Sequence, residues 1–576
     1  MRSTVLFLAT AMIAAPALAQ QQDDPLAPLD PAPTAQEPIV QPVTPPAPPR
    51  VIPKDWRGIF GAIDGADWEG ARLGIAALPD NSLKPLAKAE LFTARGSPAV
   101  DLASIQALLA EAPELPQAEQ LARLAVTRGA LQPPLVYRPR PVVSLGTAPR
   151  RGKTRQIEGE PAADALRLAL EPFVKVDDGP GAEALYLQAV PTLSYEARAE
   201  AANRVAWIYF VSGRDADARR VADEGRYGAT GEWAAQTAWI SALSAWRMND
   251  CNAAYAGFNE AARLGRAPEF NAAAFYWAAR AAQACRRPKE VAPLLRAAAR
   301  SQESFYGLLA REALGMDKRL PKTAPPGDLS RIEALPNVRR AQELVKLGRR
   351  ADAEDLLRHQ AKIGSPADHR ALIRVADKLD LAGAQFWLAH FGQPGATADA
   401  ADRYPIPNWT PYNGWRVDPA LAYAHIIQES NFRAEAVSPA GAVGLMQVRP
   451  GTAGDTARSR GTASGVSVAS LQDPLVNLDY GQAFIELIRT NAATQGQLPK
   501  VIAAYNAGPV PVARWAYYDR GDPLLWIESI PYWETRFYVP SVLRNMWVIQ
   551  GLEGEETPTL TSLAQHKWPA FPNRRR

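Results

Sequence analysis

Glu429 is the side chain in this sequence best placed for proton transfer. It closes a segment carrying Leu421, Ala424, Ile426 and Ile427, which reads as a helix opened by Asp418-Pro419. Aspartate caps free N–H groups there, and proline is tolerated in a first turn. The helix is expected to run through Gln428-Glu429-Ser430 and to end near Asn431-Phe432-Arg433. A glutamate at that end meets the negative pole of the helix dipole, and its apolar neighbours strip it of water. Both effects favour the neutral acid and raise the pKa, as a general acid requires near neutral pH. Taken alone, a glutamate at a helix end is more often simply solvated.

The residues after it change that balance. Ser438 is followed by Ala440-Gly441-Ala442-Val443-Gly444-Leu445-Met446-Gln447 and then by Pro450-Gly451-Thr452-Ala453. This is a glycine-punctuated turn carrying a polar amide, and glycine allows close approach or positive φ. Ala503-Ala504-Tyr505-Asn506-Ala507-Gly508 puts an aromatic and an amide at the end of another expected helix, and Ile530-Pro531-Tyr532-Trp533-Glu534-Thr535-Arg536-Phe537-Tyr538-Val539 follows. Each block alone is compatible with a helix terminus or a core aromatic. Five histidines and two cysteines show no metal-ligand spacing such as His-Glu-x-x-His, which disfavours a metal-dependent amidase or endopeptidase.

Taken together and in this order, the blocks resemble the soluble lytic transglycosylases over roughly Asp418 to Trp547. That family's SLT catalytic domain has a lysozyme-like fold. Upstream, Phe275-Tyr276-Trp277-Ala278-Ala279-Arg280 and Ser304-Phe305-Tyr306-Gly307-Leu308-Leu309-Ala310 are similar to segments of the ring-shaped helical domain of its large members. The resemblance implies cleavage of the β-1,4 bond between N-acetylmuramic acid and N-acetylglucosamine of peptidoglycan without water, leaving a 1,6-anhydro ring. Glu429 would serve as acid and then as base, with the substrate's N-acetyl group holding the cationic intermediate and no cofactor needed. Ser438, Met446, Gln447, Tyr505, Asn506, Glu534 and Tyr538 match substrate-binding positions, Asn506 supporting its turn. Arg449 departs from the family, where an apolar residue is expected. A hydrolase of the goose-lysozyme type shares the fold but needs a second carboxylate to activate water. Asp455, Asp473 and Asp479 are available, although Asp473-Pro474 reads as a helix start and Asp455 should lie on a helix. A third alternative, from a different class, is a solenoid scaffold with an inactive sugar-binding domain. Retention of Glu429 argues against it.

The elements that must position these residues are helical. From about Trp56 to Ala400 alanine, leucine, arginine and glutamate dominate, with apolar residues at three-and-four spacing. Breaks at Ser212-Gly213-Arg214-Asp215, Asn249-Asp250 and Arg286-Arg287-Pro288 divide the stretch into hairpins that would stack as an α-solenoid. Tyr137 to Glu158 reads as a loop interrupting the array. Cys251 and Cys285 lie about one helical hairpin apart, so either a disulfide between neighbouring hairpins or two buried thiols is expected. A solenoid can also bind protein partners.

The expected organisation is all-α. Residues 1–19 form a signal peptide, with Arg2 ahead of an apolar run and Ala17-Leu18-Ala19 at the cut. Residues 20–54 form a proline-rich tether, 55–400 the solenoid, 401–417 a linker, 418–555 the lysozyme-like catalytic domain and 556–576 a tail with a frayed basic end. The export signal, with no later transmembrane run, places the chain in the periplasm, and a monomer is expected. A net charge of +4 over 576 residues gives no support to nucleic-acid binding and is compatible with an anionic wall polymer.

Overall fold

The computed structural model describes residues 52–321, 329–461 and 466–572. The expected signal peptide, all but the last residues of the proline-rich tether and the basic end at Asn573–Arg576 lie outside the described residues. These described residues all belong to one compact unit. Among the described residues the fold is helical apart from two short strands, Val143–Ser144 and Phe391–Gly392, which pair antiparallel. No helix there is long and apolar enough to cross a membrane.

The helical breaks fall where turn chemistry demands them. Gly213, Asn249 and Arg286 take positive φ (74°, 61° and 58°), and helices Asp215–Gly225, Cys251–Leu264 and Pro288–Ala299 restart just beyond. Asp250 caps the second of these by accepting from the Ala253 N–H. Small residues bring neighbouring helices close: a Cβ placed on Gly257 would lie 2.9 Å from the Ala242 methyl. Cys251 and Cys285, at the start of one helix and the end of the next, are joined by a disulfide.

The expected single solenoid is divided between two hydrophobic cores. One runs from helix Pro161–Lys175 through Phe305–Ala313 and continues without a break into the C-terminal domain. The other joins the first helices, Trp56–Asp64 to Ala118–Thr127, to those between Leu329 and His390. Residues 128–160 connect the two parts without a helix, because Pro133, Pro134, Pro139, Pro141 and Pro149 deny helical hydrogen bonds.

That connection does more than interrupt the array. The Arg140 N–H donates to Lys362 O and the Leu145 N–H to His390 O. Arg544 Nη1 donates to Pro149 O, and Trp233 Nε1 donates to Arg155 O. It is a strap across both cores and the catalytic domain. At its centre Arg151 pairs with Glu528 at 2.6 Å, and both side chains are almost fully buried.

Residues 401–417, expected as a linker, are packed: Arg403 and Tyr404 both bond to Glu303. The C-terminal segment also differs from the frayed tail expected of 556–576. Helix Pro558–Ala564 packs on Phe305–Ala313, and the Phe571 N–H donates to Gly496 O. Leu560, Leu563 and Phe571 are buried, enough apolar surface to hold residues 556–572 down.

Candidate active site

Helix Pro419–Glu429 is opened by Asp418, whose side chain accepts from the Ala420 N–H. It stops at Glu429 because Asn431 and Phe432 both take positive φ (54° and 61°). Helix Trp533–Leu552 lies beside it. Gln550 Nε2 donates to Asp418 Oδ2 at 2.9 Å, and Asn545 Nδ2 donates to Ala424 O. These two bonds hold the helices in register, so that Glu429 meets Tyr538.

There Tyr538 Oη donates to Glu429 Oε1 at 2.5 Å, leaving Oε2 to carry an acidic proton. Behind it, His425 Nδ1 lies 2.8 Å from the same Tyr538 oxygen. Since the phenol proton is committed to Glu429, the imidazole must donate through Nδ1–H. His425 is fully buried, and burial pushes its pKa down to about 3, so the ring is neutral. Its Nε2 has no hydrogen-bond partner, which suits a bare lone pair better than a buried N–H. Burial pushes the Glu429 pKa up to about 7, with a further upward push from the negative charge of Glu534 and an opposing one from the Tyr538 hydrogen bond. Near neutral pH, Glu429 is thus divided between acid and base.

The glycine-punctuated turn folds as a tight hairpin, with Val443 bridged to both Val437 and Val448. Gly444 has φ 78°, and a Cβ there would lie 2.2 Å from Asn477 Nδ2 and 2.3 Å from Leu471 O. Any side chain would break the seat of the hairpin. Asn477, fully buried, donates to Val443 O and Leu471 O and accepts from the Met446 N–H. Tyr505 Oη donates to Met446 O at 2.7 Å, and its ring packs 4.4 Å from His425. The hairpin is thereby tied to the element behind Glu429.

The other expected residues are distributed as follows. Ser438 Oγ accepts from the Ala442 N–H inside the hairpin. Gln447, at φ 51°, spends its amide N–H groups on Ala436 O and Gly444 O. Asn506 Oδ1 accepts from Thr535 Oγ1 at 2.6 Å, linking the Tyr505 turn to helix Trp533–Leu552. Glu534 is exposed on the first turn of that helix, and Arg449 is exposed before helix Pro450–Ser459.

The three aspartates considered as a second carboxylate are engaged elsewhere. Asp473 caps helix Pro474–Arg489, Asp455 pairs with Arg458, and Asp479 pairs with Arg460 and Arg416. Sequence reasoning passed over two residues that matter here. His425 had a usable signal, since it precedes Glu429 by one helical turn and so shares its face. Asn477 had none, being one polar residue in a helix whose partners lie on another segment.

The description "Transglycosylase SLT domain" matches residues 411–523. The chain is 28% identical over 278 residues to the soluble lytic murein transglycosylase of Escherichia coli K12, which covers 46% of this chain and 41% of that protein. It therefore spans about two fifths of the length of that relative. Against the endo-type membrane-bound lytic murein transglycosylase A of Klebsiella pneumoniae strain 342 it is 31% identical over 148 residues, or 24% of this chain and 73% of that one. The fold is that of the 70 kDa soluble lytic transglycosylase of Escherichia coli, at TM-score 0.56 and 19% identity, covering 90% of this chain and 98% of that one. An inactive mutant of the lytic transglycosylase Slt of Pseudomonas aeruginosa gives TM-score 0.54 at 21% identity, covering 87% and 86%. With Glu429, its hairpin and the Tyr505 turn all inside or beside the matched segment, this chain belongs to the lytic murein transglycosylases that carry an SLT domain.

Proposed function

We propose that the protein is an exported, periplasmic lytic transglycosylase acting on peptidoglycan strands. It cleaves the β-1,4 bond between N-acetylmuramic acid and N-acetylglucosamine and leaves a 1,6-anhydro end. The observation that carries this reading is one buried carboxyl group, Glu429, held by Tyr538 with a pKa of about 7, while the three aspartates weighed as a second carboxylate are committed to caps and ion pairs.

In the reaction, Glu429 gives its proton to the leaving O4 as the C1–O4 bond breaks. The substrate's acetamido group shields the cation formed at C1. The C6 hydroxyl then attacks C1, and its proton returns to Glu429, so the enzyme ends in its starting state and no water is consumed. The hairpin residues Ser438 and Gln447 border the reacting sugar, while Met446, its side chain buried against helix Pro474–Arg489, acts through the backbone carbonyl that receives Tyr505. Tyr505 packs against the sugar, and Asn506 keeps the Tyr505 turn in place. Glu534, exposed beside Tyr538, meets substrate hydroxyl or amide groups. The chain works as a monomer without a cofactor, residues 1–19 direct its export, and the helical array is free to bind a cell-wall protein.

The test is digestion of purified sacculi followed by mass spectrometry of the soluble products. Muropeptides lighter by one water than their reducing counterparts are expected. Reducing ends would make the protein a hydrolase instead, and an absence of products would favour the scaffold reading.

His425 should act as a positioning residue. Its Nδ1–H strengthens Tyr538 as a donor, and that donation stabilises the Glu429 carboxylate. His425→Leu removes the support, so the Glu429 pKa should rise further. The basic limb of the kcat/KM profile is expected to move upward by a fraction of a pH unit, with kcat reduced several-fold (about 1 kcal/mol). A purely structural role would lower activity equally at every pH and leave the limb in place.

A further inference from the structure

A cavity of ≈ 320 Å³ lies between the strap, helices Tyr195–Val211 and Glu232–Arg247, and the first turns of helix Trp533–Leu552. Its walls include the indoles of Trp207, Trp233 and Trp533, with Trp533 48% exposed at the mouth. Lys153 of the strap sits over the Trp533 ring. The volume is at the small end of the roughly 300–1,000 Å³ usual for small-molecule sites.

Two polar groups on this cavity are left short of partners. The Arg536 guanidinium carbon sits over Trp207, 3.7 Å from its ring centre, and Nη1 donates to Ile530 O. Among the described residues no carboxylate stands within ion-pair distance of it. The negative charge that acts on it, Glu528, is already taken by Arg151 at 2.6 Å and by Tyr306 Oη at 2.7 Å. Burial and the like charge of Arg151 pull the Arg536 pKa down, the mark of a cation short of counter-charge. Asn203 Nδ2, also on the wall, is buried without an acceptor. Buried donors and cations are normally satisfied, because an unmet one costs about 1–3 kcal/mol.

A ligand completing this site supplies a carboxylate for Arg536 and Lys153, an oxygen acceptor for Asn203, and a flat apolar face for the indoles. We propose that the cavity is a second binding site for a carboxylate-bearing amino-sugar saccharide, a muropeptide. The site is separate from the one around Glu429. Trp533, Arg536 and Phe537 line it from one face of the helix whose adjacent face carries Glu534 and Tyr538, so a bound muropeptide would sit one helix width from the reacting bond. Only the identity of the ligand rests on the proposed peptidoglycan activity; the unpaired cation and amide do not.

The experiment titrates the full chain bearing Glu429→Gln with a purified disaccharide-tetrapeptide muropeptide in a calorimeter. Two classes of site are expected. Arg536→Met should weaken one class by tenfold or more, Asn203→Leu by several-fold, and Lys153→Gln by about two- to five-fold, with the other class unchanged. Chitobiose, which lacks a carboxylate, should fill the unchanged class only. Lys153 is exposed on the strap, so its variant remains informative if Arg536→Met folds poorly. A single class in the parent, or two classes that none of the three variants alters, overturns the proposal. Activity of the wild type on sacculi is scored separately. An active wild type with one class sinks the second site alone, and an inactive wild type whose binding is lost with Arg536→Met sinks the catalytic reading alone.

Discussion

Glu429→Gln is expected to abolish release of anhydro-muropeptides while making the protein more resistant to unfolding above neutral pH. In the proposed reaction one carboxyl group both donates and recovers the proton, so its loss removes acid and base together. Each such role contributes typically about 10²–10⁴-fold, and activity should fall by at least about 10³-fold. The stability effect has the opposite sign. Folding raises the Glu429 pKa from 4.5 to about 7, so the folded state prefers the neutral acid. Below the unfolded value the group is protonated in both states and adds no penalty. Between that value and about 7 the penalty grows, and above 7 it is complete, on the order of 2 kcal/mol once the carboxyl's partial exposure is allowed for. Glutamine is neutral at every pH and escapes it. Thermal unfolding of both proteins at pH 4 and pH 8 should show equal midpoints at the lower pH and a higher midpoint for Glu429→Gln at the upper. Equal midpoints at pH 8 would mean that Glu429 ionises as an ordinary carboxylate and is not tuned for acid catalysis.

The second large effect is at the strap. Arg151→Ala should destabilise the protein by about 3–5 kcal/mol, because it strands a charge instead of merely deleting an attraction. The Glu528 side chain is 1% exposed, and without Arg151 its remaining hydrogen bond comes from Tyr306. Arg151 also packs over the rings of Trp239, Phe270 and Phe537, so its stem and its charge are lost together. Pairing the change with Glu528→Gln removes the stranded charge and should recover a large part of the loss, since glutamine can still accept from Tyr306. A double-mutant cycle by thermal unfolding measures that coupling, and limited proteolysis of residues 128–160 reports release of the strap. A coupling near zero would show that the strap is held by its backbone bonds and that the buried pair is incidental.

What could be read in the sequence was local. Asp418-Pro419 and Asp473-Pro474 open helices where capping chemistry says they should, and the breaks at Gly213, Asn249 and Arg286 take the backbone conformation that ends a helix. Glu429 as the candidate acid was legible for the same reason, since helix-end position and apolar neighbours are properties of a short stretch. The glycines of the hairpin were visible too, but the atoms that require Gly444, on Asn477 and Leu471, were not.

Contacts between distant segments decided the rest. Tyr538 reaches Glu429 across 109 residues and His425 across 113, and no local pattern encodes such pairings. The strap was legible as an interruption of the array, but not as a strap, because prolines announce only what a segment cannot form, not what it lies against. The two cores were hidden because hydrophobic periodicity shows that a helix has a buried face but not which helix covers it. The C-terminal segment was taken as frayed although Leu560, Leu563 and Phe571 find their burial on helix Phe305–Ala313 and around Gly496. The sequence by itself therefore determined the helices, their ends and the candidate acid. Tertiary structure alone decided which phenol and imidazole stand behind that acid and how far its pKa is raised, because desolvation and hydrogen bonding depend on every segment packed around a group.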